Sequence, residues 1–376
     1  MLNPTRLEDL FAVFDRLDRG ESSVLKAPVS ASPEASVCAE HAAEVQEIAD
    51  ARLGLYSSGT TGQPKIIWRS WTDLKAELAS SSRFVEWTWA SPFYPWSYAG
   101  VQVALHAWAG SRKVVTLGAG WTEDWALLET NKVDALSCTP TFIDLLLQQG
   151  PQKVGSDGGA LPGEKAVKDG LRQITLGGEV LRAGLGQRLR EAFPRAHFTV
   201  IYATAELGVL LKTRRLDGWY ESVGLGRRDS DWRIQGGLLE VKRKGNWLST
   251  GDLAETRDDL VRVIGRGDQV ANVGGTKVPL DEIAALAEQV PGVRRAIAVT
   301  EPSPVTGQVV CLRFAVRDGY DPAKVTNDLQ DYLRSRLRKE AWPRRWEQDE
   351  VGLGPNFKGS LVPRESTPRR VGTDSW

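Results

Sequence analysis

Residues 55–65 read Leu-Tyr-Ser-Ser-Gly-Thr-Thr-Gly-Gln-Pro-Lys, and the reading of this stretch decides the fold. An apolar run through Leu53, Leu55 and Tyr56 leads into it, the pattern of a strand that opens into a loop. Gly59 and Gly62 allow backbone angles closed to other residues, and Ser57, Ser58, Thr60 and Thr61 bring hydroxyls. Successive backbone N–H groups in such a loop can line a concavity for phosphate oxygens, and Lys65 adds a positive charge at its end. A Walker loop needs Gly-Lys-Ser/Thr at this point, so that lysine and hydroxyl reach phosphate and magnesium together. Pro64 before the lysine and Ile66 after it exclude that pattern. An anion-binding turn between two strands remains, with a plain Ser/Gly-rich surface loop as its alternative.

The 376 residues allow two or three domains and a sizeable core. Lysine plus arginine equal aspartate plus glutamate at 48 each, so no net field draws the chain to nucleic acid or to an anionic membrane. The expected partners are small molecules. Cys38, Cys138 and Cys311 lie far apart without metal-ligand spacing, and an odd count argues for free thiols in a reducing compartment. Acidic residues interrupt the apolar positions of the first twenty residues, unlike a secretory leader, and no segment is apolar for long enough to span a bilayer. These features predict a cytoplasmic protein.

Outward from the loop, Leu7, Leu10, Phe11, Phe14 and Leu17 recur at helical spacing, and residues 22–33 form a Ser/Pro/Ala-rich connector. Residues 66–68 continue as a strand, and a helix over 71–82 starts near Ser70. Residues 91–110 combine aromatics, two prolines and an apolar helix. Strands near 113–116 and 135–137 then alternate with helices near 121–130 and 141–147, which predicts a parallel sheet covered by helices. Beyond the glycine-rich loop at 150–159, one strand runs into Gly177-Gly178-Glu179, and a later one ends in Tyr202-Ala203-Thr204-Ala205-Glu206. Ser249-Thr250-Gly251-Asp252 and Gly265-Arg266-Gly267-Asp268 follow. A small α+β unit occupies the remainder, with strands near 295–300 and 309–316 and helices from Pro279 and from Pro322, before Pro355-Asn356-Phe357-Lys358.

In their order and spacing these stretches resemble the adenylate-forming superfamily, the AMP-dependent ligases that include acyl-CoA synthetases, luciferases and peptide-synthetase adenylation domains. The superfamily's Ser-Gly-Thr-Thr-Gly-x-Pro-Lys-Gly departs here only at Ile66. Its Tyr-Gly-x-Thr-Glu carries Ala203 and Ala205, and its C-terminal lysine segment carries Phe357 before Lys358 and Leu361 after it. The resemblance implies an α/β fold: a large N-terminal domain of β-sheets covered by helices, N-terminally reduced, over residues 1–267, then a small mobile α+β lid over 268–364. Asp268 would be the hinge and residues 365–376 a disordered tail. Short forms of this kind occur among o-succinylbenzoate-CoA ligases.

The resemblance also implies roles. Ser57, Ser58, Gly59, Thr60, Thr61, Gly62 and Lys65 would hold ATP phosphates, Gly178, Glu179 and Tyr202 its adenine, and Asp252 with Arg266 its ribose. Glu206 would bind Mg2+, and Lys358 would bridge the acid's carboxylate and the α-phosphate. Trp96, Ser97, Tyr98, Gly178 and Ala203 would border the acid, and the Gly274-Gly275 face would meet the thiol, coenzyme A or a carrier-protein pantetheine. Residues 91–110 contain no Asp or Glu to neutralise a substrate ammonium, so the expected acid is apolar or aromatic. A non-catalytic relative that binds nucleotide or acyl ligand as a sensor or assembly subunit is the second reading. Ala205, Phe357 and Leu361 favour it, whereas Glu206, Asp252, Arg266 and Lys358 favour the ligase.

Overall fold

The apolar stripe at the start of the chain folds as a 3-10 turn, Leu7–Asp9, running into helix α1, Leu10–Asp18. The computed structural model describes residues 4–25, 50–57, 65–78, 84–150, 162–181, 184–221, 232–243, 245–267, 270–317, 319–353 and 359–363. They form two units, one up to Arg228 and the other from Asp229 onward. In the first unit, α1 buries Leu10, Val13, Phe14 and Leu17 against Leu53, Leu55, Trp71 and Leu105. Phe14 stacks on Trp71 at 5.7 Å between centroids and meets the edge of Trp108 at 6.0 Å. Both indole N–H groups are satisfied from α1: Trp71 donates to Asp18 (3.0 Å) and Trp108 to Asp15 (2.8 Å).

Strand β1, Ser23–Val24, runs parallel to β2, Arg52–Ser57, which pairs antiparallel with β3, Lys65–Ser70. The Ser/Thr/Gly stretch thus joins the two arms of a hairpin, and its flanking residues Ser57 and Lys65 are register partners. Ser70 caps helix α2, Trp71–Ala76, by accepting from the Asp73 N–H at 3.0 Å. The described helix is shorter than the span expected from the sequence. It ends where Glu77 carries its side chain into the interior.

The main sheet of this unit comprises β4 (Trp89–Ser91), β5 (Val114–Thr116), β6 (Ala135–Cys138), β7 (Gln173–Gly177), β8 (His197–Thr204) and β9 (Gly208–Thr213), in the order β5-β4-β6-β7-β8-β9. All pairs are parallel except β8 with β9. Helices α3 (Tyr98–Ala109), α4 (Trp121–Thr130), α5 (Pro140–Gln149), α6 (Pro162–Gly170) and α7 (Leu185–Ala192) provide the crossovers, and β10 is Tyr220–Glu221. Every residue of β6 is buried, as expected of a parallel strand covered on both faces. The chain leaves β4 for β5 on one side and returns to β6 on the other, so the winding reverses between β4 and β6.

One buried acid makes this unit sensitive to pH. Asp124 of α4 is 1% exposed and accepts from the Gly118 N–H at 2.8 Å. Burial pushes its pKa from 3.8 up to about 6, against the backbone donors Gly118 and Ala119. An acid raised in the fold binds its proton more tightly folded than unfolded, so its contribution is complete at low pH and is lost as pH rises through about 6. Relative to Asp124→Asn, the parent should gain about 1.4 kcal/mol on going from about pH 7.5 to about pH 5. Urea midpoints of the two proteins at each pH check this, and parallel pH profiles would refute it.

The second unit begins with an antiparallel meander, β11 (Trp232–Gln235), β12 (Leu238–Arg243), β13 (Asn246–Arg257) and β14 (Leu260–Arg266). Next come β15 (Val270–Val273), β16 (Thr276–Pro279), α8 (Leu280–Ala287), β17 (Val293–Ser303), β18 (Gly307–Val316), α9 (Pro322–Arg336), β19 (Arg345–Leu353) and β20 (Gly359–Pro363). Their sheet has the order β16-β15-β18-β19-β20, with β17 also paired to β18. Ile283 of α8 and Val325, Leu329 and Leu333 of α9 pack on Leu312 and Phe314 of β18. Within this unit α8 lies against β14 and so joins the meander to the α+β sheet. Asp268 and the expected tail, 365–376, lie outside the described residues. Among the described residues no helix is long and apolar enough to cross a membrane.

Candidate active site

Because β4 and β6 to β8 are parallel, their carboxyl ends lie along one edge of the main sheet. In open α/β sheets the ligand crevice lies outside this edge, at the point where the winding reverses. Residues expected at the site from sequence follow these strand ends: Trp96, Ser97 and Tyr98 after β4, Gly178 and Glu179 after β7, and Tyr202, Ala203 and Glu206 at or just beyond the end of β8. Parallel pairing thus brings to one edge side chains more than a hundred residues apart in sequence.

Ser97 is the N-cap of α3, accepting from the Gly100 N–H at 3.1 Å and donating to the Tyr94 carbonyl at 2.7 Å. Trp96 stacks on Tyr94 at 4.7 Å. Tyr98 is buried and its hydroxyl donates to Glu77 Oε2. Glu179 accepts from the Thr141 N–H at 3.0 Å, at the N-terminus of α5, where a carboxylate also complements the helix dipole. Tyr202 and Ala203 are half-buried, and Glu206 stands exposed on the turn between β8 and β9. Its carboxylate is a hard oxygen donor of the kind magnesium takes.

Arg69 and Glu77 carry no motif and sequence reading passed over them. The only signal in the sequence is a charge set among Ile66, Ile67 and Trp68 of β3. Both side chains are buried, 6% and 5% exposed, with Arg69 Nη2 2.9 Å from Glu77 Oε1.

In the second unit, Asp252 and Arg266 are register partners on β13 and β14. Asp252 is 8% exposed, and its Oδ1 lies 3.4 Å from Arg266 Nη1. A buried carboxylate beside a guanidinium is an arrangement suited to vicinal hydroxyls, the carboxylate accepting and the guanidinium donating. Gly274 and Gly275, with φ of +57° and +87°, form the turn joining β15 to β16, which demands two left-handed residues. Ser58, Gly59, Thr60, Thr61, Gly62 and Lys358 lie outside the described residues.

Both described cysteines are free, buried and held in the thiol form. Cys138 is buried and its thiol is pushed well up by burial, and Cys311 is pushed up to about 12 by burial and the neighbouring Glu347 and Glu301. Glu301, Cys311 and Glu347 lie close enough to share an ion, yet Arg345 pairs with Glu301 and Arg313 with Glu347, so the group is an ion-pair network.

The profile of AMP-binding enzymes matches residues 8–245. The chain belongs to the AMP-binding enzyme family. Among curated relatives it is 28% identical over 344 residues to the 2-hydroxy-7-methoxy-5-methyl-1-naphthoate--CoA ligase of Streptomyces carzinostaticus, covering 81% of this chain and 60% of that one. The chain therefore spans about three fifths of that ligase's length. The amide bond synthetase McbA of Marinactinospora thermotolerans superposes with a TM-score of 0.64 at 19% identity, over 93% of this chain and 76% of that one. ATP-bound MatB of Rhodopseudomonas palustris gives 0.64 at 20%, over 83% and 67%. At these identities the two structures establish the fold. The family match ends within the meander of the second unit, and the superposition with McbA extends well beyond it.

Proposed function

We propose that this member of the AMP-binding family activates an apolar or aromatic carboxylic acid with ATP and passes it to a thiol, coenzyme A in the first instance. A carboxylate oxygen attacks the α-phosphorus, pyrophosphate leaves, and an acyl-adenylate results. The thiolate sulfur then attacks the acyl carbon and AMP leaves with the bond electrons. Phosphoryl transfer of this kind needs positioning and neutralised charge more than a protein nucleophile, which agrees with two described thiols that burial keeps protonated. Magnesium, held through Glu206, would supply charge neutralisation on the phosphates. Asp252 and Arg266 would orient the ribose, Tyr202 would cover the adenine, the loop from Ser57 to Lys65 would cradle the phosphates, and Lys358 would align the two reacting groups. A reducing compartment such as the cytoplasm, expected from the unpaired cysteine count, supplies both ATP and free coenzyme A.

The observation that carries this reading is the family match joined to the buried Asp252 with its half-exposed partner Arg266 and the gathering of Trp96, Gly178, Tyr202 and Glu206 at the carboxyl ends of parallel strands. An aryl acid is favoured by the aromatic, carboxylate-free segment 91–110 and by the naphthoate substrate in the name of the Streptomyces relative. Apolar contact stabilises such a ligand by about 25 cal/mol for each Å² removed from water. An ammonium there without a counter-charge would cost several kcal/mol. Pyrophosphate release with matched pairs, an arylpropionate against the corresponding aryl amino acid, and with o-succinylbenzoate and naphthoates, tests the proposal. The aryl acids should be preferred at least tenfold, the ratio that about 1.4 kcal/mol produces. Preference for amino acids would overturn the substrate class, and nucleotide binding without pyrophosphate release from any acid would leave the non-catalytic reading.

A further inference from the structure

We propose that the buried Arg69–Glu77 ion pair is a positioning element that holds the β8–β9 turn, and through it Glu206, in place. Its catalytic meaning rests on the reading of Glu206 as a magnesium ligand. Its structural part does not.

The geometry is that of a clamp. One nitrogen of the Arg69 guanidinium, Nη2, meets Glu77 Oε1 at 2.9 Å, and the other, Nη1, donates to the Ala205 carbonyl at 3.1 Å. The second oxygen of Glu77 accepts from the Tyr98 hydroxyl, and the Tyr98 ring lies 5.4 Å from the Arg69 guanidinium carbon. The pair therefore joins the strand leaving the phosphate loop, the helix that follows β4, and the backbone immediately before Glu206. The far end of the turn is held by contact. Gly208 has φ +77°, and a Cβ there would lie 2.1 Å from Glu77 Oε1 and 3.0 Å from Arg69 Nη2, so only glycine lets the backbone come this close. Between these two anchors the turn has a local bond from the Leu207 N–H to Thr204 Oγ1 at 3.1 Å, and the β8–β9 register slips at Tyr202/Ala203 just before it.

Stability alone does not explain such a pair. A buried ion pair is commonly worth no more than apolar residues of the same volume, because desolvation offsets the attraction. What apolar residues could not do is grip a carboxylate and a backbone carbonyl at fixed angles with one planar group. Lysine could not do so either, being a point charge on a flexible stem. The requirement is for geometry at the turn that carries Glu206.

The test is peptide-resolved hydrogen exchange on the full chain, comparing the parent with Arg69→Lys and with Gly208→Ala, which disturbs the same turn without changing a charge. Exchange at residues 203–208 should quicken by about tenfold in both variants while β6 and β7 keep the parent's protection. Unchanged exchange at 203–208, or a rise shared equally by β6 and β7, overturns the clamp whatever the activity does. A second measurement reads the catalytic meaning: the magnesium needed for half-maximal pyrophosphate release should rise in Arg69→Lys, and Arg69→Lys should add little in a Glu206→Gln background. Independent, additive effects overturn the link to Glu206. If the parent releases no pyrophosphate with any acid, the proposed reaction fails, and the exchange experiment still decides the clamp.

Discussion

Lys358→Ala will lose adenylate formation by about a hundred- to a thousandfold, the usual cost of removing one preorganised charge from a transition state, and will still transfer a supplied acyl-adenylate to coenzyme A. The split follows from the role proposed for this lysine. Its ammonium would bridge the entering carboxylate and the α-phosphate, two anions whose repulsion dominates the first step. The second step begins from an acyl phosphate anhydride whose leaving group is already in place, and the lysine has no charge left to neutralise there. Stopped-flow or quenched measurement of pyrophosphate release, set beside thioester formation from synthetic acyl-adenylate, separates the two steps. A folded variant that loses both equally would remove Lys358 from this role.

Asp252→Ala will weaken ATP binding by about ten- to a hundredfold, the equivalent of about 1.5–3 kcal/mol for hydrogen bonds to a charged group. It will also cease to distinguish ATP from its 2'- and 3'-deoxy analogues, because the group that reads those hydroxyls is gone. The structure sharpens this expectation. Asp252 is almost fully buried and sits across the ladder from Arg266, so its oxygens hold one orientation before ligand arrives. Asp252→Asn retains an acceptor of the same shape and should retain part of the discrimination. Titration of the parent and both variants with the three nucleotides provides the comparison. Undiminished discrimination in Asp252→Ala would place the ribose elsewhere.

The two predictions differ in how they arise. Lys358 comes from motif order alone. Asp252 comes from a motif whose partner, Arg266, the structure brings alongside through antiparallel register.

What the sequence by itself determined is the class of fold and the chemistry on offer. The strand–loop–strand around residues 55–70, the 3.6-residue stripe of α1, the helix over 121–130 and the β/α alternation through β8 could be read directly, because local pattern and tertiary burial demand the same residues there. Motif order brought Glu206, Asp252 and Arg266 forward for the same reason: their spacing to glycine turns and strand ends is a property of the chain. Only the tertiary structure decided which side chains already have partners. Glu179 accepts from the Thr141 N–H at the start of α5, and Tyr98 is bound to Glu77, commitments that depend on residues 38 and 21 positions away. Arg69 was unreadable for the same cause, since its role comes from a backbone carbonyl 136 residues later. The limit of α2 and the grouping of the β11–β14 meander with the α+β sheet were likewise set by long-range packing, of Glu77 into the core and of α8 on β14. Periodicity records which face of an element is apolar. The partner that meets that face, and the polar atom that reaches across to it, are fixed by pairing between segments that share no neighbourhood in the chain.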